Sequence, residues 1–120
     1  MKTWDDWSDF EINRSITKCL GVEVPEVDGN WYVADGNCIY KTDPNGGINR
    51  TRITNDYCNN PADTWPIIVD NNMWVQPDMV GDGFWHVYDR DDSYSYKSYN
   101  PLRAAAIVFL MMNGATPNAN

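Results

Sequence analysis

Nine consecutive apolar residues, Ala104 to Met112, constrain this chain more than any other feature. A helix over that stretch has no polar face to offer water, so it belongs at the centre of a fold. Its ends are written on either side. Asn100 can accept from the first free backbone N–H groups, Pro101 suits the first helical position, where no donor is needed, and Asn113-Gly114 supplies the left-handed residue that closes a helix. At about 1.5 Å per residue the run covers half of a bilayer core roughly 30 Å thick, so it does not span a membrane. Arg103 is the anomaly: a cation in the opening turn faces the positive end of the helix dipole, which calls for a carboxylate partner or a ligand.

A core of that kind fits one domain in 120 residues, and 42% hydrophobic and 13% aromatic content, with six Trp and seven Tyr, is enough to fold it. We expect one α+β domain over 1–114 and a flexible C-terminal tail at 115–120. Nine Lys and Arg against seventeen Asp and Glu give a net charge of -8. That balance repels phosphate backbones and argues against direct nucleic-acid binding. With no signal segment and no longer apolar run, the expected location is the cytoplasm. Cys19, Cys38 and Cys58, odd in number and widely spaced, read as reduced structural thiols and fit neither a disulfide framework nor a zinc site.

Along the chain, Ser8 and Glu11 have the spacing of a capping box, with Trp7 and Ile12 placed as a hydrophobic staple. Ile12, Ile16, Cys19 and Leu20 then recur on one helical face, expected to pack on the core helix, until Gly21 ends the run. Aromatic and β-branched residues flanking Asp35-Gly36 predict a hairpin with strands near 30–34 and 37–42. Asp43 to Gly47 is a turn without calcium-loop spacing. Asn55 to Pro66 reads as a polar loop leading into a short helix at Pro66-Ile67-Ile68-Val69, capped by Asp63 or Thr64. Met73-Trp74-Val75 and Gly83 to Tyr88 read as strands, and Ser93 to Tyr99 as an edge strand or ordered loop. The expected fold is thus α+β: a small antiparallel sheet packed against a buried C-terminal helix and an amphipathic N-terminal helix, with a short third helix.

The order of these pieces resembles the NinX-like family of small phage and prophage proteins. The residues that carry the likeness are Leu20-Gly21, Tyr57 to Pro61, Trp65 to Ile68, Trp85 in its strand and Asn100 to Ala105 at the start of the last helix. The resemblance implies a phage genome, action in the cytoplasm of an infected bacterium and an undefined biochemical role.

Neither cofactor nor metal is expected. His86 is the only histidine, set between Trp85 and Val87, and reads as a structural or surface residue; Asp89 to Asp92 reads as a solvated turn. No activated nucleophile, acid-base pair or cofactor loop stands at recognisable spacing, which argues against an enzyme. The preferred function is binding of a host bacterial protein or a small nucleotide-like ligand during infection. Tyr57, Asn59, Asn60, Trp65 and Arg103 are the candidate site, since flat aromatic faces, side-chain amides and a guanidinium suit such ligands. The alternative is an acidic mimic of DNA that occupies a nucleic-acid enzyme.

Overall fold

The computed structural model describes residues 2–24, 31–34, 38–41, 51–52, 54–79 and 81–118. Among these residues three α-helices, α1 (Asp9–Cys19), α2 (Pro61–Asp70) and α3 (Pro101–Met112), accompany two three-stranded sheets. The core sits on α3, where every residue from Ala104 to Leu110 is buried. α1, α2 and the second sheet all pack against it. Burial of side chains such as Ile107, Val108 and Leu110 is worth about 1.5–3 kcal/mol each, which makes α3 the main source of hydrophobic stabilisation.

The ends of α3 form as the sequence predicts. Asn100 Oδ1 accepts from Leu102 N at 3.0 Å and Arg103 N at 3.3 Å. At the other end Gly114, with φ 83°, donates to Met111 O while Ala115 N donates to Leu110 O, both at 3.0 Å. Those two bonds make a Schellman cap, which needs the left-handed residue that glycine supplies. Beyond it, Pro117 O accepts from Trp7 Nε1 at 2.9 Å and Asn118 Oδ1 from Lys2 N at 2.9 Å, so the expected tail is tied at two points to the N-terminal segment.

The capping box of α1 is present: Ser8 Oγ accepts from Glu11 N at 3.1 Å, and Glu11 Oε1 accepts from Ser8 N at 3.3 Å. Trp7 and Ile12 are both buried in the core cluster. The buried face, however, is not the one that hydrophobicity suggests. Cys19 and Leu20 are exposed, while Asn13 and Thr17 are buried beside Ile12 and Ile16. Polar groups can occupy a core face when their bonds are made inside it. Asn13 donates to Asp56 Oδ1 at 3.0 Å and accepts from Tyr57 N at 3.0 Å, and Thr17 Oγ1 donates to Asn13 O at 2.8 Å.

The first sheet has order β1-β2-β3 with β1 (Trp31–Ala34), β2 (Cys38–Lys41) and β3 (Thr51–Arg52). β1 and β2 are the predicted hairpin, antiparallel with Tyr32 opposite Tyr40. The two-residue β3 has no counterpart in the sequence reading, and the turns expected at 35–36 and 43–47 lie outside the described residues. The second sheet is also antiparallel, with order β4-β5-β6 from β4 (Trp74–Pro77), β5 (Trp85–Tyr88) and β6 (Ser95–Ser98). Side chains alternate across its faces. The row Val75, Val87, Tyr96 turns toward α3, and Val87 is fully buried. Trp74 with Tyr88, and Gln76 with His86, occupy the opposite face.

Candidate functional site

The segment expected to carry the site folds differently from its sequence reading. α2 begins at Pro61, five residues before Pro66, because Asn60-Pro61 repeats the start signal that opens α3. Asn60 Oδ1 accepts from Ala62 N at 3.0 Å. Asp63 and Thr64, the expected caps, instead tie the helix to the loop before it: Asp63 accepts from Asp56 N at 2.9 Å, and Thr64 Oγ1 donates to Tyr57 O at 2.6 Å. Pro66 falls inside the helix, where it removes one backbone donor. Both Pro66 and Ala62, whose carbonyl loses that donor, are exposed, so water can satisfy the group.

The starts of the three helices meet in a polar node. Arg103 Nη1 donates to Asp9 Oδ1 at 2.6 Å, and Arg103 Nη2 donates to Trp7 O at 2.6 Å and Trp4 O at 3.1 Å. Asp9 is the first residue of α1, so its charge also faces that helix's positive end. Its second oxygen accepts from Asn59 Nδ2 at 3.0 Å. Asn59 donates in addition to Asp56 Oδ1 at 3.2 Å, and Asn100 Nδ2 donates to Cys58 O at 2.6 Å. The Cys58 thiol is enclosed here. Desolvation first, and the neighbouring Asp9 second, hold its proton well above the usual thiol range, which makes it an inert packing group and not a nucleophile.

The five expected site residues occupy different settings. Arg103 is directed at Asp9 and the N-terminal segment, Asn59 and Asn60 bind helix starts, and Tyr57 is buried with only 4% of its surface exposed. Trp65 is 62% exposed on the outer side of α2. His86 is half-buried with its ring 5.3 Å from that of Tyr88. Asp89 is buried and organises its turn by accepting from Ser93 N at 2.7 Å and Tyr94 N at 3.0 Å. Among the described residues no group of His, Cys, Asp and Glu has the arrangement of a metal site, and no helix is long and apolar enough to cross a membrane.

One surface stands out that the sequence reading only touched. The exposed residues of α2 are Pro61, Ala62, Trp65, Pro66, Val69 and Asp70, so its outer face is apolar until the last residue. Surface helices ordinarily turn charges outward. Beside this face a cleft of about 270 Å³ runs between α2 and the end of α1, lined by Leu20, Tyr57, Pro66 and Ile67, with Asp63 and Asp70 on its rim. Leu20 and Val22 extend the exposed apolar surface on the α1 side. The signal was in the sequence as Trp65 and Val69 at one-turn spacing with no charge between them, but it reads as a core stripe until burial is known.

No curated protein and no solved structure matches the chain. The family described as bacteriophage P22 NinX matches residues 4–113, which takes in all three helices, both sheets and the node that joins the helix starts. The chain therefore belongs to the NinX family of phage proteins.

Proposed function

We propose that this phage accessory protein acts by binding a host bacterial protein through the outer face of α2. The observation that carries the reading is the exposure of Trp65, at 62%, and Val69, at 51%, one turn apart on a helix whose other exposed residues are apolar up to Asp70. Exposed apolar patches of this kind mark docking surfaces, and tryptophan is among the residues that dominate binding energy. Charge describes the partner. With Asp63 and Asp70 at the rim and a net charge of -8, the complementary surface is an apolar pocket surrounded by Lys and Arg, and association is faster at low salt.

Mimicry of DNA has less support. Asp9, Glu11, Asp56, Asp78 and Asp89 are each engaged by side-chain or backbone donors of this chain, which takes five of the seventeen acids out of any phosphate-like array. The test is capture from infected bacterial cells with the parent chain and with Trp65→Ser. The expected result is a host protein held by the parent and released by the variant at unchanged thermal midpoint, with affinity reduced about tenfold or more. Equal capture by both chains would overturn the reading.

A further inference from the structure

The outward face of the second sheet carries a further cluster, which begins at Asn72, just after α2 ends, and is completed from β5 and the turn beyond it. Trp74 on β4 lies opposite Tyr88 on β5, their ring planes 8° from parallel and their centroids 6.2 Å apart. Trp74 is 58% exposed although Met73, the residue before it, is in the core. At the same end of the sheet, a shallow depression of about 410 Å³ is lined by Asn72, Met73, Trp74 and Arg90. Gln76 continues the row on the far side of Trp74, next along the same face.

We propose that this face binds a neutral oligosaccharide, with one sugar ring lying on Trp74 and its hydroxyl rim met by Asn72, Gln76 and Arg90. A pyranose has an apolar C–H face and a ring of hydroxyls near its mean plane. It therefore needs a flat apolar platform surrounded by side chains that donate and accept in that plane. Trp74 is the platform, the Asn72 amide offers both functions, Gln76 offers its N–H donors while its Oε1 accepts from the Tyr88 hydroxyl at 3.5 Å, and the Arg90 guanidinium offers donors only. Arg90 has no ion pair among the described residues, so its donors are available.

Charge and shape select against other ligands. Asp91 and Asp92 are exposed immediately after Arg90 and outnumber its single charge, and Lys97 is held by Asp78 at 2.9 Å, so the local balance of charge disfavours a phosphate. The depression is open to solvent, whereas a nucleobase gains most from enclosure between two flat surfaces. A sugar ring needs only one. Tyr88, stacked beside Trp74 from the adjacent strand, holds the indole plane in place.

The test is isothermal titration and amide chemical-shift mapping of the parent chain with cellobiose, maltose and diacetylchitobiose, with adenosine monophosphate as the competing class. At least one disaccharide should bind saturably with a Kd below about 10 mM and shift the Trp74 indole signal. Trp74→Ala should weaken that binding about tenfold or more with no change in thermal midpoint, because the ring is mostly exposed. Arg90→Met on the exposed turn should weaken it severalfold, and it stands in if the Trp74 variant folds poorly. Trp65→Ser should leave sugar binding intact, which separates this site from the α2 surface. Absence of saturable sugar binding, binding of the nucleotide alone, or full affinity in folded variants at Trp74 or Arg90 would each overturn the proposal.

Discussion

Replacing Arg103 with methionine separates a structural role from a binding role, because the longer apolar stem is kept while three donor contacts are lost. The side chain is 16% exposed and its partner Asp9 28%, so the pair is shielded without being dry. Removing one member of a fully buried pair costs about 3–5 kcal/mol. Three features lower the figure here: partial solvent screening, the bond Trp4 O keeps from Trp7 N at 3.2 Å, and the bond Asp9 keeps from Asn59 at 3.0 Å. Trp7 O gives up a charge-assisted bond of 2.6 Å, worth about 1.5–3 kcal/mol where water cannot replace it. The expected loss is therefore about 2–4 kcal/mol. Urea unfolding should show a midpoint lower by about 1 M or more at unchanged slope, given a slope of about 1–3 kcal/mol per molar for a chain of this size. A midpoint equal to the parent's, together with lost capture of the host partner, would refute the structural reading and make Arg103 a binding residue.

Asp9→Asn should destabilise the chain by a similar amount, and the double variant with Arg103→Met should lose at least about 1 kcal/mol less than the two single losses added, measured by a urea double-mutant cycle. Ser8→Ala should cost about 1 kcal/mol through the cap of α1; an unchanged denaturant midpoint would count against the capping box. Alkaline pH should also destabilise the fold. Burial holds the Cys58 proton above its ordinary value of 9.0, and burial with the hydrogen bond to Asp5 holds the Tyr96 proton above 10.0. The unfolded chain releases both protons first, so stability is full below pH 9 and falls as pH rises beyond it, and Cys58→Ala should flatten that fall in urea midpoints between pH 8 and 10.

What was legible in the sequence was local. The Ser8–Glu11 box and the Asn100-Pro101 start each work within three residues, and both form as written. The start of α2 carried the same Asn-Pro signature at Asn60-Pro61, yet Pro66 drew the boundary to itself, since an interior proline ordinarily ends a helix. The exposed setting of Ala62 is what relaxes that rule, and exposure is a tertiary property. The helix α1 forms and packs on α3 as its pattern predicts, but its buried face departs from that pattern at Asn13 and Thr17 for the same reason. Asn13 is a core residue only because Asp56 and Tyr57, 43 and 44 positions away, complete its hydrogen bonds. Arg103 was recognisable as an oddity in an apolar helix, but its carboxylate stands 94 positions earlier, beyond any periodicity or spacing rule.

The node also determines what an anionic ligand would meet at the start of α3. Free N–H groups at a helix start attract anions when nothing in the chain reaches them. Here Asn100 accepts from two of those groups, Asn60 caps α2, Ser8 caps α1, and Asp9 already supplies the negative charge that Arg103 and the α1 terminus require. An incoming phosphate would have to displace Asp9 from a 2.6 Å ion pair and leave that carboxylate in a shielded place. The dipole returns only about 0.3–2 kcal/mol for an anion, less than the pair it would break. Trp65 and Trp74 stand under the opposite constraint. Each is more than half exposed, so replacing either costs the fold little, while any partner that covers it gains a large apolar surface. Substitutions on the outer faces of α2 and the second sheet therefore leave the fold in place, whereas the helix starts tolerate change only at its expense.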